Sequence, residues 1–544
     1  MLKKNDLVQL KITSTTAEGS GVGHTSDGMA VFVPMSATGD ELSVKILKVK
    51  KTYAFGKLEE ILTPSPARIE PDCPNFSKCG GCVWRHVSYS EECRIKEQKV
   101  RDAVERIGGI NTEIKPIIAC ERTDRYRNKA QLPVGRDRNG KVQIGFYSFH
   151  SHRIVDCADC ALQPEQFGEV IRITREFIDR YGVSVYDEST GKGRLRHLYL
   201  RCAEITGELM VCYVVNGNGL KNEDILIKNL REALPNLKTV VFNSNREKTN
   251  VILGSKNRVA YGEGVIEDEL CGKRFCISPF SFWQVNRSQA EKLYTKALEY
   301  ANLSGRENLL DLYCGTGTIG LTMADGCKTL TGVEIIPDAV CDAEKNAERN
   351  GVKNARFICA DAPAAAEQLR QEGVSPDVVI LDPPRKGCGE ELVGTVAKMN
   401  PDRVVYVSCD PATLARDLKY FAERGYVTRE VTPCDMFPRT AHVETVVLLS
   451  RKMPDDKIEV DLSLDELDIT SAESKATYQE IKDYVLKEYG FKVSTLYISQ
   501  VKRKCGIIER ENYNHSHKEN PHSSQCPKDK ENAIRAALEH FGMI

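Results

Sequence analysis

The sequence has no surplus of charge of either sign. Its 76 lysines and arginines face 77 aspartates and glutamates, leaving a formal charge of -1 over 544 residues. Recognition of nucleic acid by gross positive charge is therefore excluded, and any such partner must be read from local patches. No stretch approaches roughly 18 uninterrupted apolar residues, which argues against a membrane span. The opening MLKKNDLVQLKI has neither a long apolar core nor a small-residue cleavage site, so a cytoplasmic location is expected. Internal repeats are absent too, which excludes a solenoid.

What is present is the balance of an ordinary globular chain, 41% hydrophobic and 28% charged. At roughly 150 residues per domain the length implies about three or four domains. Cys 20 is a high count, and in a reducing compartment these residues are thiols, metal ligands or nucleophiles rather than disulfides.

The fold class expected is multidomain. Residues 1–62 read as short alternating strands separated by glycine-bearing turns, the pattern of a small β-barrel. A proline-containing stretch, TPSPARIEPDCP, follows. Residues 63–275 form a mixed α/β central domain, with helical patterns at 90–109 and 164–182. Residues 276–453 alternate β and α units, which implies a mainly parallel, Rossmann-like sheet with helices on both faces. An acidic run, PDDKIEVDLSLDELDITSAES, then reads as a solvated linker to a helical extension over 475–544.

The chemistry concentrates in the third region. LLDLYCGTGTIGL (309–321) sets a buried strand, a glycine turn and a helix start in succession, and Gly315 and Gly317 permit close approach of a ligand. Glu334 ends the next strand, where nucleotide-binding sheets keep an acid for ribose hydroxyls. Asp361 ends the strand after that, in position to accept from an adenine amino group. ILDPPRKG ends a hydrophobic strand with Asp382 held rigid by two prolines. In VYVSCDPATLARD a β-run delivers Cys409 to the start of a helix, whose N-terminus is expected to lower the thiol pKa. DMFPRTAHVETVVLLS carries His442 and Glu444 to the mouth of an apolar strand, where partial burial raises a carboxylate's pKa and suits it to accept a proton.

Together FSFWQVN (280–286), DLYCGTG, LDPPR, SCDPATLARD and DMFPRTAHVETVVLL resemble the S-adenosylmethionine-dependent RNA uracil-C5-methyltransferases, in order and at compatible spacing over about 170 residues. The N-terminal strands resemble the TRAM RNA-binding barrel, and with the cysteine-rich segment below the chain resembles the branch acting on 23S ribosomal RNA. The resemblance implies Cys409 as nucleophile and Glu444 as base, with Gln284, Tyr313, Glu334 and Asp382 contacting S-adenosylmethionine. Thr318 departs from members that carry an asparagine there.

CPNFSKCGGC (73–82) spaces Cys73, Cys79 and Cys82 as C-x5-C-x2-C, with Cys157 and Cys160 as candidates for a fourth ligand. All-thiolate ligation suits tetrahedral zinc or an iron–sulfur cluster, and spacing does not decide between them. The resemblance implies Cys160 as the fourth ligand and a [4Fe-4S] cluster, with zinc as the alternative. The segment 122–153 holds eight Lys/Arg and two acids interleaved with Tyr126, Phe146, Tyr147 and Phe149, a candidate RNA surface in which aromatics stack on unpaired bases. Residues 477–507 read as two helices broken at Gly490, either a helix-turn-helix or a plain helical hairpin.

The activity implied is methyl transfer to carbon 5 of a flipped or unpaired ribosomal uridine through a cysteine adduct at carbon 6. Alternatives are a tRNA uridine methyltransferase, an amino-methyltransferase using DPPR without a cysteine, and a non-catalytic iron–sulfur RNA-binding protein. No obligate protein partner is indicated, and separate domains suit a monomer.

Overall fold

A computed structural model describes residues 2–149, 151–452, 476–507 and 526–544. The chain forms two compact units, divided between Met453 and Pro454. The acidic linker expected at 454–474 lies outside the described residues.

The first unit opens with a closed barrel of β1 (Leu7–Thr15), β2 (Gly21–His24), β3 (Ala30–Val33), β4 (Glu41–Val49) and β5 (Tyr53–Thr63), in the order β1-β2-β3-β5-β4. Alternate residues such as Leu10, Ile12, Val31, Val33, Leu42, Val44 and Ile46 fill it, as a period of two requires. Helix α1 (Tyr89–Asp102) follows and widens into a π-helical turn, Ala103–Ile107, before Gly108. The short β6 (Glu113–Ile114) comes next.

A seven-stranded sheet is built from β7 (Lys129–Arg136), β8 (Val142–Tyr147), β9 (Ile154–Asp156), β10 (Leu195–Cys202), β11 (Leu209–Val215), β12 (Leu237–Ser244) and β13 (Lys256–Tyr261). Its apolar face packs on α2 (Gln166–Tyr181) and α3 (Glu223–Ala233). Gly182, at φ 62, ends α2 in the left-handed conformation that glycine adopts without a Cβ penalty.

A hairpin, β14 (Ile266–Leu270) and β15 (Lys273–Ile277), leads to α4 (Arg287–Ala301). The alternating run comprises β16 (Asn308–Leu312), α5 (Thr318–Met323), β17 (Thr329–Glu334), α6 (Pro337–Arg349), β18 (Ala355–Cys359), α7 (Ala362–Gln371), β19 (Val378–Leu381), α8 (Gly389–Met399), β20 (Arg403–Ser408) and α9 (Pro411–Ala422). It closes with β21 (Tyr426–Cys434) and β22 (Glu444–Arg451). The eight strands run β18-β17-β16-β19-β20-β22-β21-β6. The first five are mutually parallel, and β22 enters antiparallel between β20 and β21. Odd and even residues of the strands feed two apolar layers, Leu309, Ile380 and Val405 against α4 and α5, and Leu310, Leu381 and Tyr406 against α7, α8 and α9.

The second unit contains α10 (Tyr478–Tyr489), α11 (Thr495–Lys504) and α12 (Lys528–His540) around Ile481, Val485, Ile498, Val501, Ile534 and Leu538. Thr477 and Glu480 form a capping box, and Gly490 ends α10, as the sequence implied. Among the described residues no helix is long and apolar enough to cross a membrane.

Candidate active site

Parallel strands place their carboxyl ends along one edge, and the register of this sheet lines up the residues the sequence singled out. Leu312 pairs with Val333 and with Leu381, so the next residues, Tyr313, Glu334 and Asp382, emerge side by side. Ser408 pairs antiparallel with Thr445, so the following step sets Cys409 opposite Glu444. Sheet register, rather than proximity in sequence, brings the thiol and the carboxylate together.

The turn between β16 and α5 is shaped for a ligand. Tyr313 has φ 67, a left-handed conformation that costs a non-glycine residue on the order of 1 kcal/mol and persists where surroundings enforce it. Gly315, at φ 57, has open space where a side chain would start. Its N–H donates to Glu334 Oε2 at 3.1 Å, and the Ile336 N–H donates to Oε1 at 2.9 Å, so Glu334 is fixed in place. Asp311 accepts from Gly320 N–H at 2.9 Å, but its second oxygen is buried without a partner. Burial pushes its pKa up to about 8. The buried Tyr294 hydroxyl hydrogen-bonds Gln284 and Thr318, tying FSFWQVN to the start of α5. Asp361 stands exposed at the N-terminus of α7.

Burial dominates the electrostatics of the other half. It pushes Glu444 up to about 8, with Asp382 adding repulsion and Arg385 opposing. Burial likewise pushes Asp382 up to about 7. The Cys409 thiol is pushed up to about 11 by burial and by the charges of Glu444 and Asp382, against Arg385. The expected lowering by the helix is thus overturned, because burial and the two neighbouring carboxylates outweigh it. Asp410 caps α9, its Oδ1 accepting from the N–H groups of Ala412 and Thr413 at 3.0 Å each, so a carboxylate occupies the positive end of the helix. His442 lies exposed, edge-on to Phe437.

The cysteine-rich segments also meet. Asn75 Nδ2 donates to Asp156 O at 3.4 Å, and Cys79 bridges to Ser148. Burial raises the Cys79 pKa, with Cys160 and Cys73 adding to it. Burial takes Cys82 up to about 12, opposed by the buried Arg85, which is itself held by Asp72 and Asp124. Hydrogen bonding from Cys157 brings Cys160 down to about 7. Five thiols from two segments therefore feel one another's charge, yet among the described residues no group of three or more is arranged to hold a metal ion.

The basic segment departs from expectation. Tyr126 is buried, 3% exposed, and donates to Pro438 O, so it offers no stacking face. Arg125 is spent on Asp159 and Phe146 packs on the central core, whereas Phe149 is exposed. A groove of about 750 Å³ runs instead from the barrel, lined by Thr15, Thr38, Arg94, Lys99 and Arg106, to Pro411, two residues beyond the thiol. Sequence reasoning missed this groove and Arg385, although LDPPR displayed the latter.

The family profile described as tRNA (Uracil-5-)-methyltransferase matches residues 226–452, and that of the TRAM domain matches residues 3–58. An uncharacterized RNA methyltransferase of Clostridium tetani is 45% identical over 449 residues, covering 82% of this chain and 97% of its own. The chain belongs to the RNA (uracil-5)-methyltransferase family. An uncharacterized RNA methyltransferase of Halalkalibacterium halodurans is 45% identical over 452 residues, covering 83% of this chain and 98% of its own. Among solved structures, the Pyrococcus abyssi tRNA (uracil-54, C5)-methyltransferase in complex with S-adenosyl-L-homocysteine superposes with a TM-score of 0.65 at 29% identity, over 81% of this chain and 99% of that one. This methyltransferase thus carries the family's TRAM barrel and catalytic sheet, and its second unit lies beyond the family match.

Proposed function

We propose that this enzyme transfers a methyl group from S-adenosylmethionine to carbon 5 of a uridine in 23S ribosomal RNA, through a Cys409 adduct at carbon 6. The observation that carries the reading is the strand register that sets Cys409 opposite the buried Glu444, with Asp382 alongside. Gln284, Tyr313, Glu334 and Asp382 would hold the methyl donor. The partnerless oxygen of Asp311 and the open space over Gly315 suit a ligand there. S-adenosylmethionine supplies an electrophilic methyl group.

Carbon 5 of uracil is too weak a nucleophile to take that methyl unaided. The Cys409 thiolate adds to carbon 6, the carbon 5–carbon 6 π pair moves toward the carbon 4 carbonyl, and carbon 5 of the enolate becomes nucleophilic. After methylation the Glu444 carboxylate removes the carbon 5 proton. The C–H pair re-forms the double bond, and the carbon–sulfur pair returns to Cys409. Attack from above the ring requires a base out of its stack, and the groove lined by Lys99 and Arg106 suits the adjoining strand. An amino-methyltransferase reading leaves the Cys409–Glu444 pair without a use.

Cys73, Cys79, Cys82 and Cys160 would hold a [4Fe-4S] cluster of structural or RNA-recognition role, with zinc as the alternative. The thiolate donor set is chemically suited to either, and mutual repulsion of the thiols is what a bound cation relieves. Protein purified without oxygen should contain about four iron and four sulfide per chain. Stoichiometric zinc with no visible absorption would move the assignment to zinc.

A transfer-RNA substrate is the second reading, favoured by the family's description and by the Pyrococcus relative. Labelled methyl transfer to each RNA separates the two. The chemistry is tested with 5-fluorouridine-substituted RNA, in which fluorine at carbon 5 blocks elimination. A covalent complex stable to denaturation should form with the native enzyme and be absent with Cys409→Ala. We place the enzyme in the cytoplasm as a monomer.

A further inference from the structure

Glu444 reaches Cys409 at the end of the loop 435–443, and that loop is held from outside the catalytic sheet. Lys96, on α1, is wholly buried, and its Nζ donates to Glu92 Oε1 at 2.7 Å, Asp435 Oδ1 at 2.6 Å and Phe437 O at 3.0 Å. Tyr89, also on α1, donates to Asp435 Oδ2 at 2.8 Å and accepts from Cys120 N–H at 2.6 Å. Arg439 sits at φ 70, a strained conformation for arginine, fixed by its N–H on Glu92 Oε1 at 2.6 Å and by Val83 N–H on its carbonyl at 2.7 Å. Lys99 donates to Ala441 O at 3.0 Å. Two carboxylates, Glu92 and Asp435, are thus enclosed with two cations, Lys96 and Arg439.

A buried ionic cluster adds little net stability compared with apolar packing of the same volume, so its presence here calls for another explanation. What it does supply is geometry, because Lys96, Tyr89 and Glu92 each bond the loop that delivers Glu444. We infer that Lys96, with Glu92, Tyr89 and Asp435, is a positioning group that sets the Glu444 carboxylate for the elimination step. This rests on the adduct mechanism proposed above. Cys409 stands at the end of β20 beside the cap of α9, and none of the hydrogen bonds of Lys96, Glu92, Tyr89 or Asp435 given above ends on either, so adduct formation and methyl transfer depend on the cluster less than elimination does. Elimination is the step that depends on it: Glu444 takes the carbon 5 proton, the C–H pair makes the carbon 5–carbon 6 double bond, and the carbon–sulfur pair leaves with Cys409.

The test compares two readouts in a single turnover on RNA containing uridine tritiated at carbon 5. Labelled methyl arriving on RNA reports the first half, and tritium release reports the second. Lys96→Met should slow tritium release on the order of tenfold or more relative to methyl arrival, and should accumulate a denaturation-stable complex with ordinary uridine RNA. Lys96→Arg should restore much of the balance. Should Lys96→Met fail to fold for want of one of the two cations that balance Glu92 and Asp435, Lys96→Met/Glu92→Gln keeps the charges matched, and Tyr89→Phe removes one bond to Asp435. Each should show the same split in smaller or equal degree. Equal loss of both readouts in the folded variants, or no loss in either, overturns the inference. Failure of the native enzyme to trap on 5-fluorouridine RNA would instead overturn the adduct mechanism beneath it.

Discussion

At the scale of single residues, the site is governed by burial of carboxylates. Glu444 has its pKa pushed up to about 8, chiefly by burial, and a base must be ionised to act. Elimination in a single turnover is therefore expected to rise with pH toward a plateau above about 8. Stopped-quench tritium release between pH 6 and 9 checks this, and a flat profile would remove Glu444 from the role. The same shift has a stability consequence of definite sign. The unfolded chain releases this proton near its ordinary 4.5, whereas the native site keeps it to about 8. Native protein binds more protons across that window, so stability falls as pH rises through it. Glu444→Gln, neutral throughout, escapes the penalty. Its melting temperature should equal the native value at pH 4 to 5 and exceed it at pH 9, and scanning calorimetry at the two pH values decides.

At the scale of elements, the helix behind the proposed nucleophile shows why an end of a helix cannot be judged from its position alone. The N-terminus of α9 was expected to lower the Cys409 pKa, and burial with the charges of Glu444 and Asp382 reverses the expectation, while the Asp410 cap lays its own carboxylate on Ala412 and Thr413. Asp410→Ala should cost about 1 kcal/mol of stability and shift the Cys409 alkylation profile to lower pH. Iodoacetamide kinetics against pH, set beside a urea melt, measure both, and an unmoved profile would leave the cap without electrostatic effect. The helix spans themselves were legible because period and punctuation agree. Residues 164–182, read as helical, end at Gly182 in the left-handed conformation. The pairing of strands was not legible in the same way. Nothing in the segment around Glu113 announces that β6 adds to the far edge of the catalytic sheet, or that α1 and its π-helical turn pack there through Val100 and Val104. Tyr126 was read as a stacking residue for a related reason: a sequence displays an aromatic among cations, but not the carbonyl of Pro438 that takes its hydroxyl.

At the scale of the whole molecule, the order of motifs along the chain was enough to indicate the catalytic sheet, while the convergence of chain segments far apart had to be seen. Lys96 and Asp435 lie 339 residues apart and meet at 2.6 Å, so the region between barrel and catalytic sheet is tied to the loop that carries the proposed base, and the two cannot be separated without exposing buried charge. The second unit stands differently. The Clostridium and Halalkalibacterium relatives are covered to 97% and 98% by 449 and 452 residues of this chain, and α10, α11 and α12 enclose an apolar core of their own. Neither match needs residues from that unit, and the proposed catalytic groups all fall before Met453. Removal of 454–544 should therefore leave methyl transfer to a short uridine-containing RNA within about twofold, since the proposed site is built entirely from the first unit. In calorimetry the full chain should show a separate transition that the shortened chain lacks, because a small core of this kind unfolds by itself. If the shortened chain instead loses methyl transfer while keeping the melting temperature of its catalytic unit, the helical unit takes part in binding that RNA.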